Sequence, residues 1–384
     1  MGMDNQKSHV SWGVIFGVVS VWFGAHAGGG FASGSQTMNF FVKYGWPAVF
    51  TPVLAMAILA LVYRVIITMC NQYGVSNYSD WSHKLYSPYD KVVSPVYEVC
   101  NLGAGILATS ASIAGAAAVL NETFSLPYMM CVVIMAVVTI LLSMFGAKVI
   151  SAASSVLVVL IMVSVVIITV SGLVVKGPHI GVDVAAGYAP LGVGAAIWKS
   201  ITYASFQIFS LLGTFGVCCQ LKNAKNCNKA TVLGFIINTA MLTGLTLLCL
   251  AYREDVTGNT LPILTICKSL GNPLLTVLYT VALFCAFVST AVSVVFGTIA
   301  RFGKFYDKVK LPQNLWNGIV GLIVVAVAMG AATFGLTAIV AVGYNYLGII
   351  GIFLVAIPCL TVGTMRIRKT KADKETSYEK STID

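Results

Sequence analysis

WGVIFGVVSVWFGAHAGGGFASG, residues 12–34, is an apolar stretch of membrane-spanning length, interrupted in its middle by His26 and by the consecutive glycines Gly28, Gly29 and Gly30. In hydrocarbon every backbone N–H and C=O needs a partner, so non-helical backbone at membrane depth is tolerated only where it lines a cavity or meets a ligand. The stretch therefore reads as a discontinuous membrane helix whose break forms a solute-binding site. The competing reading is ordinary packing, since small residues also let membrane helices approach closely.

The rest of the chain supports the membrane assignment. Its 384 residues are 58% hydrophobic and only 9% charged, which excludes a soluble globular protein and predicts an all-α polytopic membrane protein. Ten spans are expected, at 12–34, 44–69, 92–119, 124–146, 148–175, 194–218, 228–250, 271–303, 315–334 and 336–363. The first segment, MGMDNQKSH, lacks the features of a removable signal peptide, so span 1 is expected to stay in the mature protein. The chain then divides into an N-terminal segment 1–11, a five-span half 12–175, a connecting loop 176–193, a second five-span half 194–363 and a charged, disordered tail 364–384. The polar and aromatic loop 71–91 is expected to hold a short interfacial helix.

Positive charge gives the orientation. With the N-terminus in the cytoplasm, only Lys43, Lys176, Arg253 and Lys268 fall on outer loops, and Lys199 lies within a span; the remainder of the 23 Lys and Arg lie on the inner side. That asymmetry predicts a cytoplasmic-membrane protein with both termini inside. It also accounts for the net charge of +10 as topology signals beside an anionic leaflet, with no nucleic-acid partner needed. The sequence leaves the oligomeric state open.

A second irregularity occurs at the corresponding place half a chain later. Span 6, GAAIWKSITYASFQIFSLLGTFGVCC, carries Ser205, Gln207, Ser210, Gly213, Thr214 and Gly216 in its middle. Five spans per half means that corresponding helices run in opposite directions. Paired broken helices in two inverted halves point to alternating access around a midplane site. The candidate substrate-binding residues are Ala25, His26, Gly28, Gly29, Gly30 and Phe31 in span 1 and Tyr203, Ser205, Phe206 and Gln207 in span 6, with Phe206 and Gln207 placed at the break itself and Phe209 as a further aromatic gate.

The segment GGGFASGSQTMNFFVKYG, Gly28 to Gly45, resembles the start of the YkvI-like membrane proteins of the amino acid–polyamine–organocation superfamily. That pattern runs Gly-Ala-Gly-Phe-Ala-Ser-Gly-Gln-Glu before a Phe-Phe pair. Gly30, Phe31, Ala32, Ser33, Gly34, Phe40 and Phe41 match, and Ser35-Gln36 replaces Gln-Glu. The resemblance implies a LeuT-type five-plus-five inverted repeat and a transporter, with an amino acid or amine derivative as substrate class.

Span 8 adds a possible coupling-ion site. The Ala286 carbonyl and the Ser289 and Thr290 hydroxyls share one helical face, and hard cations take such oxygen ligands. The resemblance implies that Gly24 and Ala27 would complete a sodium site. Back-bonding of the hydroxyls to their own helix and proton coupling remain open alternatives. Sodium is the only cofactor-like ion suspected.

Among ionisable residues near the spans, His26 suits substrate contact, proton carriage or a neutral structural role, Lys199 suits snorkelling to the interface, and Glu98 suits an interfacial or paired charge. The ten cysteines form no metal or disulfide framework. No G-x-S-x-G or H-E-x-x-H motif suggests an enzyme, and the polar features concentrate at one depth, unlike a channel's repeated rings. The expectation is a secondary transporter of a small polar or zwitterionic solute in a lipid bilayer, sodium-coupled, or alternatively a proton-coupled or uncoupled exchanger of the same fold, with a passive channel or membrane-embedded sensor as the alternative from another class.

Overall fold

The computed structural model describes residues 10–144, 147–302 and 312–370, and all the regular structure among them is helical. The apolar stretches fold as helices, the conformation that satisfies backbone groups within a segment. Span 1 is built from three pieces: α1 (Trp12–His26), α2 (Gly29–Ala32) and α3 (Ser35–Phe40). Two 3-10 turns, Val42–Tyr44 and Trp46–Val49, lead into α4 (Thr51–Tyr73). The loop after α4 holds α5 (Tyr78–Tyr86), the short helix expected there, started by Asn77 accepting the Asp80 N–H at 2.8 Å.

Then come the long α6 (Asp90–Phe124), α7 (Tyr128–Met144), α8 (Ala147–Lys176) and the short α9 (Pro178–Ala185). Span 6 comprises α10 (Val193–Ile208), a 3-10 stretch Phe209–Thr214 and α11 (Phe215–Cys218). It is followed by α12 (Ala224–Ala251), α13 (Arg253–Val256), α14 (Pro262–Ser269), α15 (Pro273–Phe302) and α16 (Gln313–Ala332). The last span begins with α17 (Leu336–Ala338), continues through α18 (Asn345–Gly351) and contains three π-helical turns, at Ile339–Tyr344, Ile352–Ala356 and Cys359–Gly363.

Among the described residues, 8 helices are long and apolar enough to cross a membrane, and Trp12–His26 and Tyr128–Ser143 are shorter apolar helices. Together they coincide with the ten stretches predicted. Three boundaries differ most. The helix of the last span runs on to Thr370, so residues 364–370 of the tail expected to be disordered are helical. Span 1 does not stop at Gly34; its second half continues to Phe40. Span 2 begins as regular helix at Thr51 instead of 44, because Gly45 (φ 78°) and Pro47 turn the chain first.

α15 packs along α6 and α8, and it also touches α2, while α10 packs on α4 and α18. The short α2 is thus held between long helices. α5 lies on one face of the bundle, and α9 and α14 lie on the other. Outward-pointing valines, leucines and isoleucines on α7, α8, α15 and α16 are exposed. In a water-soluble protein such a surface would be unstable; in lipid it is the expected exterior.

Candidate functional site

The break in span 1 is a real interruption of the helix. α1 ends at His26, Ala27 leaves helical geometry (φ −86°, ψ 36°) and Gly28 is extended (φ −66°, ψ 175°). The Phe23 carbonyl still accepts the Ala27 N–H at 2.8 Å, but the Gly24, Ala25 and His26 carbonyls at the end of α1 and the first N–H groups after it lack the usual intrahelical partners. A second turn at Gly34, in the left-handed region (φ 84°), redirects α3; a Cβ there would lie 2.8 Å from Ile263, so only glycine suits the position. The segment is pinned on the α14 side, where Ile263 N–H donates to the Ser33 carbonyl at 3.1 Å and the Tyr279 hydroxyl donates to the Ala32 carbonyl at 2.6 Å.

α15 closes against this break. A Cβ on Gly29 would lie 2.5 Å from the Phe287 ring, and one on Gly115 of α6 would lie 2.2 Å from it. The Phe287 ring therefore fills a slot made by two glycines. One turn further on, the Thr290 hydroxyl oxygen would stand 3.8 Å from a Cβ on Gly28. Thr290 donates to the Ala286 carbonyl at 2.8 Å, so its proton is used within α15, while the lone pairs of the Thr290 hydroxyl can still accept. The structure thus brings Ala286 and Thr290 to the break, with Ser289 on the adjoining position. Gly24 and Ala27 stand at the end of α1, on the other side of it.

α10 contributes the opposite wall. Ser205, Phe206 and Gln207 are buried, but they lie inside regular helix, and the 3-10 stretch starts two residues later at Phe209. Phe206 and Gln207, expected at the break of span 6, therefore precede the irregular stretch. Span 6 tightens its winding instead of opening, so its polar side chains, more than its backbone, face span 1.

Those side chains form a continuous buried hydrogen-bond chain. Asn238 of α12 donates through Nδ2 to the Gly234 carbonyl at 2.8 Å, which turns its Oδ1 toward His26 Nδ1, also at 2.8 Å. The His26 proton is therefore on Nδ1, and Nε2 accepts from the Tyr203 hydroxyl at 2.8 Å. Gln207 Nε2 then donates to the Tyr203 oxygen at 3.1 Å and to Gln36 Oε1 at 3.3 Å. Every donor in the sequence of contacts meets an acceptor when the imidazole is neutral. His26 precedes the break and Gln36 follows it, so α10 holds both halves of span 1 through two residues one turn apart.

Asn238 and Gln36 were not among the predicted site residues. Gln36 stood out in sequence only as a departure from the family pattern; Asn238 was not singled out, and its one signal is that it is an amide inside an apolar span. Three buried hydroxyls near the network, on Ser35, Thr37 and Ser205, have no hydrogen-bond partner. Burying such groups without a partner is costly.

Aromatic layers lie above and below. On the α9 side, Phe206 stacks between Phe40 (5.7 Å between centroids) and Tyr344 (4.6 Å), with Phe41 edge-on to Tyr203 (4.9 Å) and Phe31 4.9 Å from the His26 ring. On the α5 side, Trp81 packs against Phe215 (5.4 Å) and Tyr97 (5.9 Å), and Tyr97 against Phe209 (6.2 Å). These rings are buried, so this conformation is closed on both faces.

The remaining ionisable candidates have structural partners. Lys199 bonds the Asn345 side chain of the last span, and Glu98 pairs with Arg301 while accepting from the Tyr78 hydroxyl at 3.3 Å. Among the described residues, no group of three or more His, Cys, Asp or Glu is arranged to hold a metal ion.

No family model matches the chain, and no curated protein sequence matches it. Solved structures do. MhsT in complex with L-phenylalanine is similar at a TM-score of 0.61 and 16% identity, over 97% of this chain and 99% of that one. A manganese transporter from Eremococcus coleocola is similar at 0.58 and 14% identity, over 93% and 81%. A Na+-coupled sialic acid symporter in a substrate-bound outward-open state is similar at 0.51 and 12% identity, over 92% and 97%. At these identities the likeness shows the fold: the chain is an all-α polytopic membrane protein of the LeuT type.

Proposed function

We propose that the protein is a secondary active transporter that carries a small polar or zwitterionic solute, an amino acid or amine derivative, by alternating access. The observation that carries this reading is the interrupted span 1, walled by Ala286 and Thr290 on one side and by Tyr203 and Gln207 on the other, between two closed aromatic layers. A solute held there would be shielded from both faces, as alternating access requires. The unpartnered Ser35, Thr37 and Ser205 hydroxyls favour a polar cargo. Transport by the fold's solved members supports the same class, and the likeness of Gly28–Gly45 to YkvI-like proteins supports the superfamily. No enzymatic role is proposed.

Sodium is the proposed coupling ion, held by the Gly24 and Ala27 carbonyls with Ala286, Ser289 and Thr290. The complete hydrogen-bond chain around a neutral His26 favours sodium over a proton carried by that residue. The α5 face is proposed to be cytoplasmic, following the positive charge. An ion that binds one access state more tightly shifts the equilibrium toward it by that difference in affinity.

Uptake into proteoliposomes of the full-length chain, with and without an imposed sodium gradient, tests the reading. Saturable uptake stimulated by sodium is expected, and Ser289→Ala with Thr290→Ala should remove the stimulation. Stimulation that survives both substitutions overturns the ion site; linear, unsaturable flux overturns the transporter.

A further inference from the structure

The hydrogen-bond chain ends at the break in a way that selects between the two solute classes left open above. Its direction is set at the far end, by the Gly234 carbonyl, which can only accept. Asn238 must turn its NH2 to that carbonyl, and its oxygen then demands the proton on His26 Nδ1. His26 Nε2 demands the Tyr203 proton, the Tyr203 oxygen demands a donor, and Gln207 supplies one with the same NH2 that donates to Gln36 Oε1. With its oxygen so occupied, Gln36 is left with its own NH2 directed to Gly30, where a Cβ would lie 3.0 Å from Gln36 Nε2. The left-handed turn at Gly34 brings this side chain back to the glycines it follows.

The geometry points to Gln36 as a specificity-determining residue: it presents hydrogen-bond donors at Gly30 and selects solutes that carry acceptor oxygens there, a carboxylate above all. This rests on the transporter reading and narrows it from amino acids or amines to carboxylate-bearing solutes. An amine without a carboxylate would set its N–H donors against the donors of Gln36, and a rigid buried amide cannot turn over without breaking the contact to Gln207. Discrimination of this kind, in which a mismatched group leaves a buried polar group unpaired, is stronger than that given by shape alone. Asn238, His26 and Tyr203 act through Gln36 and are positioning residues.

The test is binding to the purified full-length chain in nanodiscs, read as thermal stabilisation, with amino acids and the matching amines that lack the carboxylate. Stabilisation at about tenfold or more lower concentration of the amino acid than of its amine is expected for the unaltered protein. Gln36→Glu, which replaces donors by acceptors, should reverse the order. Gln36→Met, which keeps the length and removes the donors, should level the two without reversing them, and this holds the proposal open to test if the glutamate variant folds poorly. Asn238→Leu should weaken the preference with Gln36 intact. A preference for amines, a ratio unaltered in Gln36→Glu and Gln36→Met, or no stabilisation by either series overturns the proposal. Because binding is read without transport, a chain that binds amino acids and carries none into vesicles fails the transporter reading and keeps this one.

Discussion

At the scale of single residues, the three consecutive glycines are not equivalent. Gly28 has a backbone conformation open to any residue, and a Cβ there meets Thr290 only at an ordinary 3.8 Å. Gly29 has no such room, since its Cβ would enter the fully buried Phe287 ring at 2.5 Å. Replacing glycine by alanine gains up to about 1 kcal/mol of helical propensity, whereas overpacking costs about 1–3 kcal/mol, so the steric term decides. Gly28→Ala is expected to keep its thermal stability and its uptake within twofold, and Gly29→Ala to lose stability by about 1–3 kcal/mol together with most uptake. Equal behaviour of the two variants in a melting assay would contradict this placement of Phe287. The triple glycine itself was plain in the sequence as a break; the unequal roles were not, because they depend on a ring from a helix more than 250 positions away. The Asn238–His26–Tyr203–Gln207–Gln36 chain was hidden for the same reason, with His26 and Asn238 separated by 212 positions.

At the scale of elements, periodicity and apolar length located each span, while the way a span is interrupted depended on its neighbours. Span 6 was expected to open as span 1 does. Instead the stretch Phe209–Thr214, in which Ser210, Gly213 and Thr214 alternate with apolar residues, tightens into 3-10 winding, which keeps backbone groups paired within the segment and leaves recognition to side chains. The π-helical turns of the last span had no signal in its nearly uniform apolar sequence; one of them brings Tyr344 over Phe206.

The short helix expected in the 71–91 loop did appear, as α5, and its attachment carries a pH dependence. His83 hydrogen-bonds the Asp90 carboxylate at 2.8 Å and holds its pKa below the ordinary carboxylate value. A depressed carboxylate contributes stability that is fully present above its unfolded value of about 4 and is lost as pH falls through its lower folded value. Backbone hydrogen exchange across Tyr78–Tyr86, corrected for intrinsic rates, should therefore accelerate in acid relative to neutral pH. Asp90→Asn should remove that acceleration; an identical acid response in the variant would show that the contact does not hold the helix.

At the scale of the whole molecule, the fold was the most legible feature, since ten apolar stretches in two halves leave few arrangements once each must bury its polar backbone and face lipid. What composition could not give is the conformational state. The two aromatic layers show a protein closed at both faces, with Phe206 and Tyr344 stacked on one side and Trp81 and Phe215 packed on the other. Removing one ring should bias the molecule toward one opening. In a background cleared of native thiols, a cysteine at Ser205 should react at least several-fold faster with a water-soluble maleimide when Tyr344→Ala is added. An unchanged rate would mean that this layer is not the barrier.

Trp22 sits in a notch of α12, where a Cβ on Gly234 would lie 2.3 Å from its indole, and its other side lies 4.2 Å from the Tyr63 ring. Because α2 and α3 are tethered to α14 and α15 while the chain joins α1 to them through the non-helical Ala27 and Gly28, a swing of α1 would pry this indole from its notch. The molecule thus carries a built-in optical reporter. With the other five of its six tryptophans replaced by phenylalanine, emission should shift to longer wavelength when the α5 face opens and return when it shuts, and a spectrum indifferent to sodium and solute would mean that α1 stays put.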